Sequence, residues 1–195
     1  EVLIVADKSS DSEWLASDLL GQAEHDQLAQ CILISKDKNI LEKTKKEVFE
    51  QLKNLPRSSI AKKSLMMNGI LIYANSDKKI IEITNKIGPE HLELNVKNYK
   101  SFVAKIKNAG SVCLGKYAVM AMTDYGAPGS NHVLPTDSSS KYSSGLNVSE
   151  FMKKISYITL SKKGIDKLGP SVITLANYEG LQGHAQSIVK RIRRK

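Results

Sequence analysis

The stretch "EVLIVADKSSDSEWLASDLLGQAEHDQLAQCILIS", residues 1–35, decides the fold class. "VLIVA" (Val2 to Ala6) is a short, largely β-branched run of the kind that fills a buried strand. "DSEWLASDLLGQAEH" follows with helical spacing and has Ser10 or Asp11 as its N-cap. "CILIS" is then a second buried strand. The alternation continues outward along the chain. "NILEKTKKEVFEQLKNL" is a charged amphipathic helix closed by Pro56. "GILIYA" and "SDKKIIEITNKI" repeat the pair, and "HLELNV", "NYKSFVAKIKNAG" and "SVCLG" do so again. Strands alternating with helices predict an α/β fold with a layered, largely parallel sheet and flanking helices.

The rhythm breaks after Tyr117. "DYGAPGSNHVLPTDSSSKYSSG", from Asp124 to Gly145, is rich in Gly, Ser and Pro and has no apolar period. A loop that long in a compact domain is usually functional or disordered. A smaller, largely helical part follows, so the expected boundary lies near Gly145. Residues 1–145 form the α/β domain and 146–195 a helical C-terminal extension.

With 41% hydrophobic and 25% charged residues, the 195-residue chain has the composition of a globular protein with its own core. No apolar run approaches the roughly 20 residues of a membrane span. The opening, acidic and then apolar, lacks the basic start and cleavage site of a signal peptide. It also begins inside a strand-like run without Met, as a fragment or processed segment would. Cys31 and Cys113 lie in apolar strands without framework spacing, which predicts buried free thiols in a reducing compartment, the cytoplasm. The net charge of +9 comes mostly from scattered lysines, and the terminal "KRIRRK" suits the end of a helix. No nucleic-acid motif accompanies it, so nucleic-acid binding is the weakest functional class. There is no G-x-G-x-x-G and no P-loop, so no cofactor-binding residue is assigned.

Four histidines sit in polar settings: "QAEH" (His25), "GPEHLE" (His91), "SNHVLP" (His132) and "EGLQGH" (His184). Glu90 and His91 follow Gly88-Pro89 at a turn into a strand, where α/β proteins place site residues. Such a pair can divide proton transfer; it can equally be an exposed turn pair. Gln22 and His25, three apart, share a helix face. With Asp124 and His184 they make a plausible N/O set for zinc, although Gln22 and His25 could instead cap the helix end.

The motifs "ASDLLGQAEHD", "GPEHLEL", "NAGSVCLGKY", "NHVLPT", "YSSGLNVSEFMKK" and "LANYEGLQGHAQSIVKRI" occur in the order found in the carboxy-terminal half of histidinol dehydrogenase. The chain resembles that family from Glu1 to about Arg193, which is about half of the family's enzyme. The resemblance implies one zinc held by Gln22, His25, Asp124 and His184, which with His91 also line the substrate site. It implies that Glu90 and His91 are the acid/base groups and that His132 and Glu179 contact substrate. The implied reaction oxidises L-histidinol to L-histidine through an aldehyde while two NAD are reduced, with the NAD-binding domain upstream of this segment. The implied assembly is a homodimer in which residues 146–195 cross to the partner. His184 and Glu179 would then complete the other subunit's site. Two departures stand out. The loop "DYGAPGSNH" is one residue longer than the family's spacing, around Pro128, and "YAVMAMTD" lacks the Pro-Glu and Gly common there. A truncated, inactive remnant of the enzyme is the alternative expectation.

Overall fold

The computed structural model describes residues 1–126 and 131–192; the expected extra residue near Pro128 lies outside them. The chain divides into two compact units, Glu1–Phe151 and Met152–Lys195.

Unit 1 is an α/β domain. Its five strands are β1 (Val2–Ala6), β2 (Cys31–Ser35), β3 (Gly69–Tyr73), β4 (His91–Asn95) and β5 (Ser111–Leu114), in the spatial order β3-β2-β1-β4-β5. Every pairing is parallel. Parallel sheets need both faces covered. One face packs Val2, Ile4, Ala6 and Leu33 under α1 (Ser12–Ala23), α2 (Lys38–Leu52) and α3 (Ser58–Asn68), with Met120 of α6 (Met120–Tyr125) completing the layer. The other packs Leu3, Val5, Ile32, Ile34, Leu92 and Leu94 under α4 (Asp77–Ile87) and the short α5 (Lys100–Val103). The fold expected from residues 1–35 is the fold found.

Local choices agree with it. Asp11 caps α1 by accepting the Glu13 and Trp14 N–H groups, and Ser76 caps α4 through the Lys79 N–H. Two elements differ from the sequence-based expectation. Helix α3 was not foreseen, because the only residues it buries are Ala61 and Ser64. Its contact is a close approach of small residues, with the Ser64 hydroxyl donating to the Ala29 carbonyl at 2.9 Å, and small residues leave no apolar period. Helix α5 is shorter than "NYKSFVAKIKNAG" implied. Beyond it, the Asn85 carboxamide accepts the Lys107 N–H at 2.7 Å and the Asn108 side chain donates to the Asn85 carbonyl at 2.8 Å. A side chain that satisfies the backbone removes the incentive for another helical turn.

Unit 2 is an α-hairpin of α7 (Lys162–Tyr178) and α8 (Gln182–Ile192), capped at its start by Ser161 and turned at Gly180, where φ is 74°. Gly169, Ala176 and Ala185 are its buried residues, all of them small. Among the described residues no helix is long and apolar enough to cross a membrane.

Candidate functional site

Strand β4 is buried at all five positions, yet it reads His-Leu-Glu-Leu-Asn. Leu92 and Leu94 join the core on the α4 side. His91, Glu93 and Asn95 are in register with Val2, Ile4 and Ala6 and so face α1 and α6. A polar stripe is thus built into the interior of the sheet, and His91 is its first member, at the amino end of the strand.

The turn that delivers His91 is held from several sides. Gly88 closes α4 in the left-handed conformation with φ at 64°, and a Cβ there would come within 2.9 Å of the Ser140 hydroxyl. The Ser140 and Ser138 hydroxyls donate to the Gly88 and Ile87 carbonyls at 2.8 and 2.6 Å. Across the turn, Gly110 and Ser111 donate their N–H groups to the Pro89 and Glu90 carbonyls. A Cβ on Gly110 would lie 2.6 Å from the Glu90 oxygen, so only glycine permits that approach. The described part of the long loop is therefore strapped onto the turn that carries Glu90 and His91.

His91 Nε2 lies 3.8 Å from Asp124 Oδ1, and His132 Nδ1 lies 3.7 Å from the same oxygen. Both separations exceed direct hydrogen-bond length. His91 and Asp124 have side chains only 5% and 6% exposed, whereas His132 is largely open to solvent. Among the described residues, His91 Nδ1 is buried without a partner. Burial holds the His91 imidazole below the usual histidine range, although the Asp124 and Glu90 carboxylates pull it the other way. The ring is neutral at pH 7 and so able to accept a proton. Glu90 is half-buried. With His91 buried, the pair is not an exposed turn.

The other expected residues are placed as follows. Gln22 is buried in the last turn of α1. His25 is exposed in the turn beyond the end of the helix, which comes at Ala23. Backbone bonds close that end, Glu24 N–H to Leu20 O and His25 N–H to Gln22 O, so neither side chain serves as the cap. Glu179 and His184 are exposed residues of unit 2. Cys31 and Cys113 are buried free thiols, which burial pushes up to about 11 and about 12, and neither is a nucleophile at neutral pH.

Unit 1 thus unites His91, Asp124 and His132. Among the described residues no three His, Cys, Asp or Glu side chains converge as a metal would require. The donor chemistry nevertheless fits a borderline cation. Asp124 is a buried carboxylate whose two histidine neighbours, His91 and His132, stand beyond hydrogen-bond length, and Gln22 supplies a buried amide at the same end of the sheet.

Residues 1–192 match the family model for histidinol dehydrogenase. The chain belongs to the histidinol dehydrogenase family. It is 73% identical to the histidinol dehydrogenase of Pelagibacter ubique over all 195 residues, which are 45% of that protein. It is 43% identical to that of Methanocaldococcus jannaschii over 99% of this chain and 44% of the relative. Among solved structures, the crystal structure of histidinol dehydrogenase from Elizabethkingia anophelis matches with a TM-score of 0.80 at 40% identity. That match covers 98% of this chain and 44% of the other. The chain spans less than half the length of these family members.

Sequence reasoning missed Asp18 and Glu93, which lie beneath the site. Their signal was present: two polar residues in runs otherwise suited to burial, Asp18 in "LASDLL" and Glu93 in "HLELN".

Proposed function

We propose that this chain is the zinc- and substrate-binding half of a histidinol dehydrogenase, which oxidises L-histidinol to L-histidine while two NAD are reduced. The observation that carries the proposal is the buried, neutral His91 imidazole facing the Asp124 carboxylate, with Glu90 beside it on the same turn.

The proposed ligands of the zinc are Gln22, His25, Asp124 and His184. Zinc has no redox chemistry and, when bound, would hold the substrate by its imidazole and amine. Each oxidation removes a hydride, which NAD takes, and a proton, which the protein must accept. His91 is suited to that proton: it is uncharged, fixed by the turn and adjacent to a carboxylate that stabilises the imidazolium as it forms. Between the two oxidations the aldehyde must gain water. Glu90, one residue before the base, is the carboxylate proposed to activate that water. His132, open to solvent above Asp124, and Glu179 would contact substrate. Residues 146–195 are proposed to contribute His184 and Glu179 to the site of a second copy.

The test uses the full-length protein that contains this segment. Glu90→Gln should lose oxidation of the aldehyde more severely than oxidation of the alcohol, because only the former needs water. His91→Asn should lose both steps. Equal, small losses in both variants would contradict these roles, and a wild-type protein without histidinol oxidation would leave the inactive remnant as the better account.

A further inference from the structure

Glu93 is 1% exposed, on the same stripe of β4 as His91. Its Oε1 accepts the N–H of Met120, the first residue of α6, at 2.8 Å. Helix α6 has no side-chain cap of its own, since Val119 occupies the cap position. A buried N–H at a helix start must find an acceptor, and Glu93 supplies it from the neighbouring strand. Among the described residues, the remaining oxygen of Glu93, Oε2, and the Asp18 Oδ2 of α1 are both buried without a hydrogen-bond partner. The two carboxyl groups are close enough for the charge of one to act on the other. Two neighbouring carboxylates, one buried and one half-buried, resist ionising together. Burial, then the charge of Asp18, pushes Glu93 up to about 8. Asp18, raised mainly by its own burial, reaches about 6. The chain α1–Asp18–Glu93–Met120 therefore ends at α6, which carries Asp124 one turn further on.

We propose that Glu93, braced by Asp18, is a positioning residue that pins the first amide of α6 and so fixes the Asp124 carboxylate opposite His91. The role given to Asp124 rests on the function proposed above; the tether itself does not.

Two readouts on the metal-free chain test it: amide hydrogen exchange in Met120–Tyr125, referenced to β1 and β2, and the ring nitrogen shifts of His91 at fixed pH. Glu93→Gln keeps an oxygen for the Met120 N–H and gains an NH₂ that can donate to Asp18, so both readouts should match wild type. Glu93→Leu removes the acceptor. It should speed exchange in α6 by about five- to tenfold, the worth of one net hydrogen bond, and move the His91 shifts while β1 and β2 keep their protection. Should Glu93→Leu fail to fold, Glu93→Asp, one methylene too short to reach Met120, carries the same expectation. The proposal is overturned if α6 exchanges as in wild type in the Leu and Asp variants, or if Gln behaves as Leu does. It is equally overturned if α6 loosens while His91 is unmoved. Zinc uptake by the wild-type chain is measured in parallel. If no zinc binds while the Glu93-dependent protection persists, the proposed function fails and the tether stands.

Discussion

The two ends of the parallel sheet make an instructive pair. At the carboxyl ends of β1 and β4 lies a crevice of about 420 Å³ lined by Asp7, Lys36, Asp77 and Lys97. The chain leaves β1 toward β2 on one side and returns to β4 on the other, so this is the topological switch point where α/β sheets ordinarily bind ligands. Three of its four charged side chains, Asp7, Lys36 and Asp77, are already engaged. Lys36 pairs with Asp77 at 2.5 Å. Burial raises the Asp7 carboxyl, but the Ser9 hydroxyl and the Lys97 and Ser9 amides more than offset that and hold it below its ordinary value. At the amino end of β4 the situation is reversed. Asp124 and His91 are buried and stand 3.8 Å apart, beyond hydrogen-bond length, and among the described residues His91 Nδ1 has no partner. Buried polar groups left unsatisfied in a folded chain call for an explanation. A ligand completing them at the amino end supplies one.

That contrast breaks or holds on variants made at both ends. The largest effect is expected for His91→Asn in the full-length protein, a loss of about 10²- to 10⁴-fold in kcat, the usual worth of a positioned general base. Asp7→Asn at the opposite end should leave kcat within about threefold, as expected where no transition-state contact is removed. Steady-state rates of NAD reduction with histidinol check both, and equal losses at the two ends would erase the distinction between them.

Next in size is Gly88→Ala, which forces a Cβ onto the left-handed φ of 64° and against the Ser140 hydroxyl. It should destabilise the chain by about 1–3 kcal/mol in a denaturant titration. It should also loosen the turn that delivers His91. Asp11→Ala, removing the cap at the far end of α1, should cost about 1 kcal/mol with no effect on the site. A Gly88→Ala protein as stable as wild type would mean that the turn is not held as described.

The smallest effect concerns pH. Glu93 faces Asp18 from α1, Cys113 from β5 and the Met120 amide from α6, with Asp124 also near Cys113. Its carboxyl is raised from 4.5 to about 8, so between those values the folded chain binds more protons than the unfolded one. Stability should be greatest below about pH 4.5 in this contribution and fall as pH rises toward 8. Glu93→Gln should flatten that decline in melting temperature against pH. An unchanged slope would show that Glu93 is already ionised.

Much of this was legible in the sequence, for physical reasons that differ by region. The sheet could be read because β1 and β2 are continuous apolar runs, "VLIVA" and "CILIS", which fit only a strand buried on both faces. Strand β4 was read correctly as a strand, but its alternation conceals that it too is buried throughout, with its polar side turned inward to hold Glu93. His91, Asp124 and His132 were expected at the site, and the fold brings these three together across 41 residues of sequence. The family resemblance gave the candidates; it could not say that His91 would be buried and His132 open. Helix α3 stayed hidden because Ala61 and Ser64 bury themselves by being small. Asp18 stayed hidden because a half-buried carboxyl on a helix looks like a solvated one until its partner strand is known.

The most direct test of the account is the zinc content of the purified chain, wild type against Asp124→Ala, at equal protein concentration and with the oligomeric state recorded. The account predicts about one zinc per chain in the wild type, as a single four-donor site would hold, and loss of that zinc in Asp124→Ala with the fold intact. Zinc retained by Asp124→Ala, or none bound by the wild type, would contradict it.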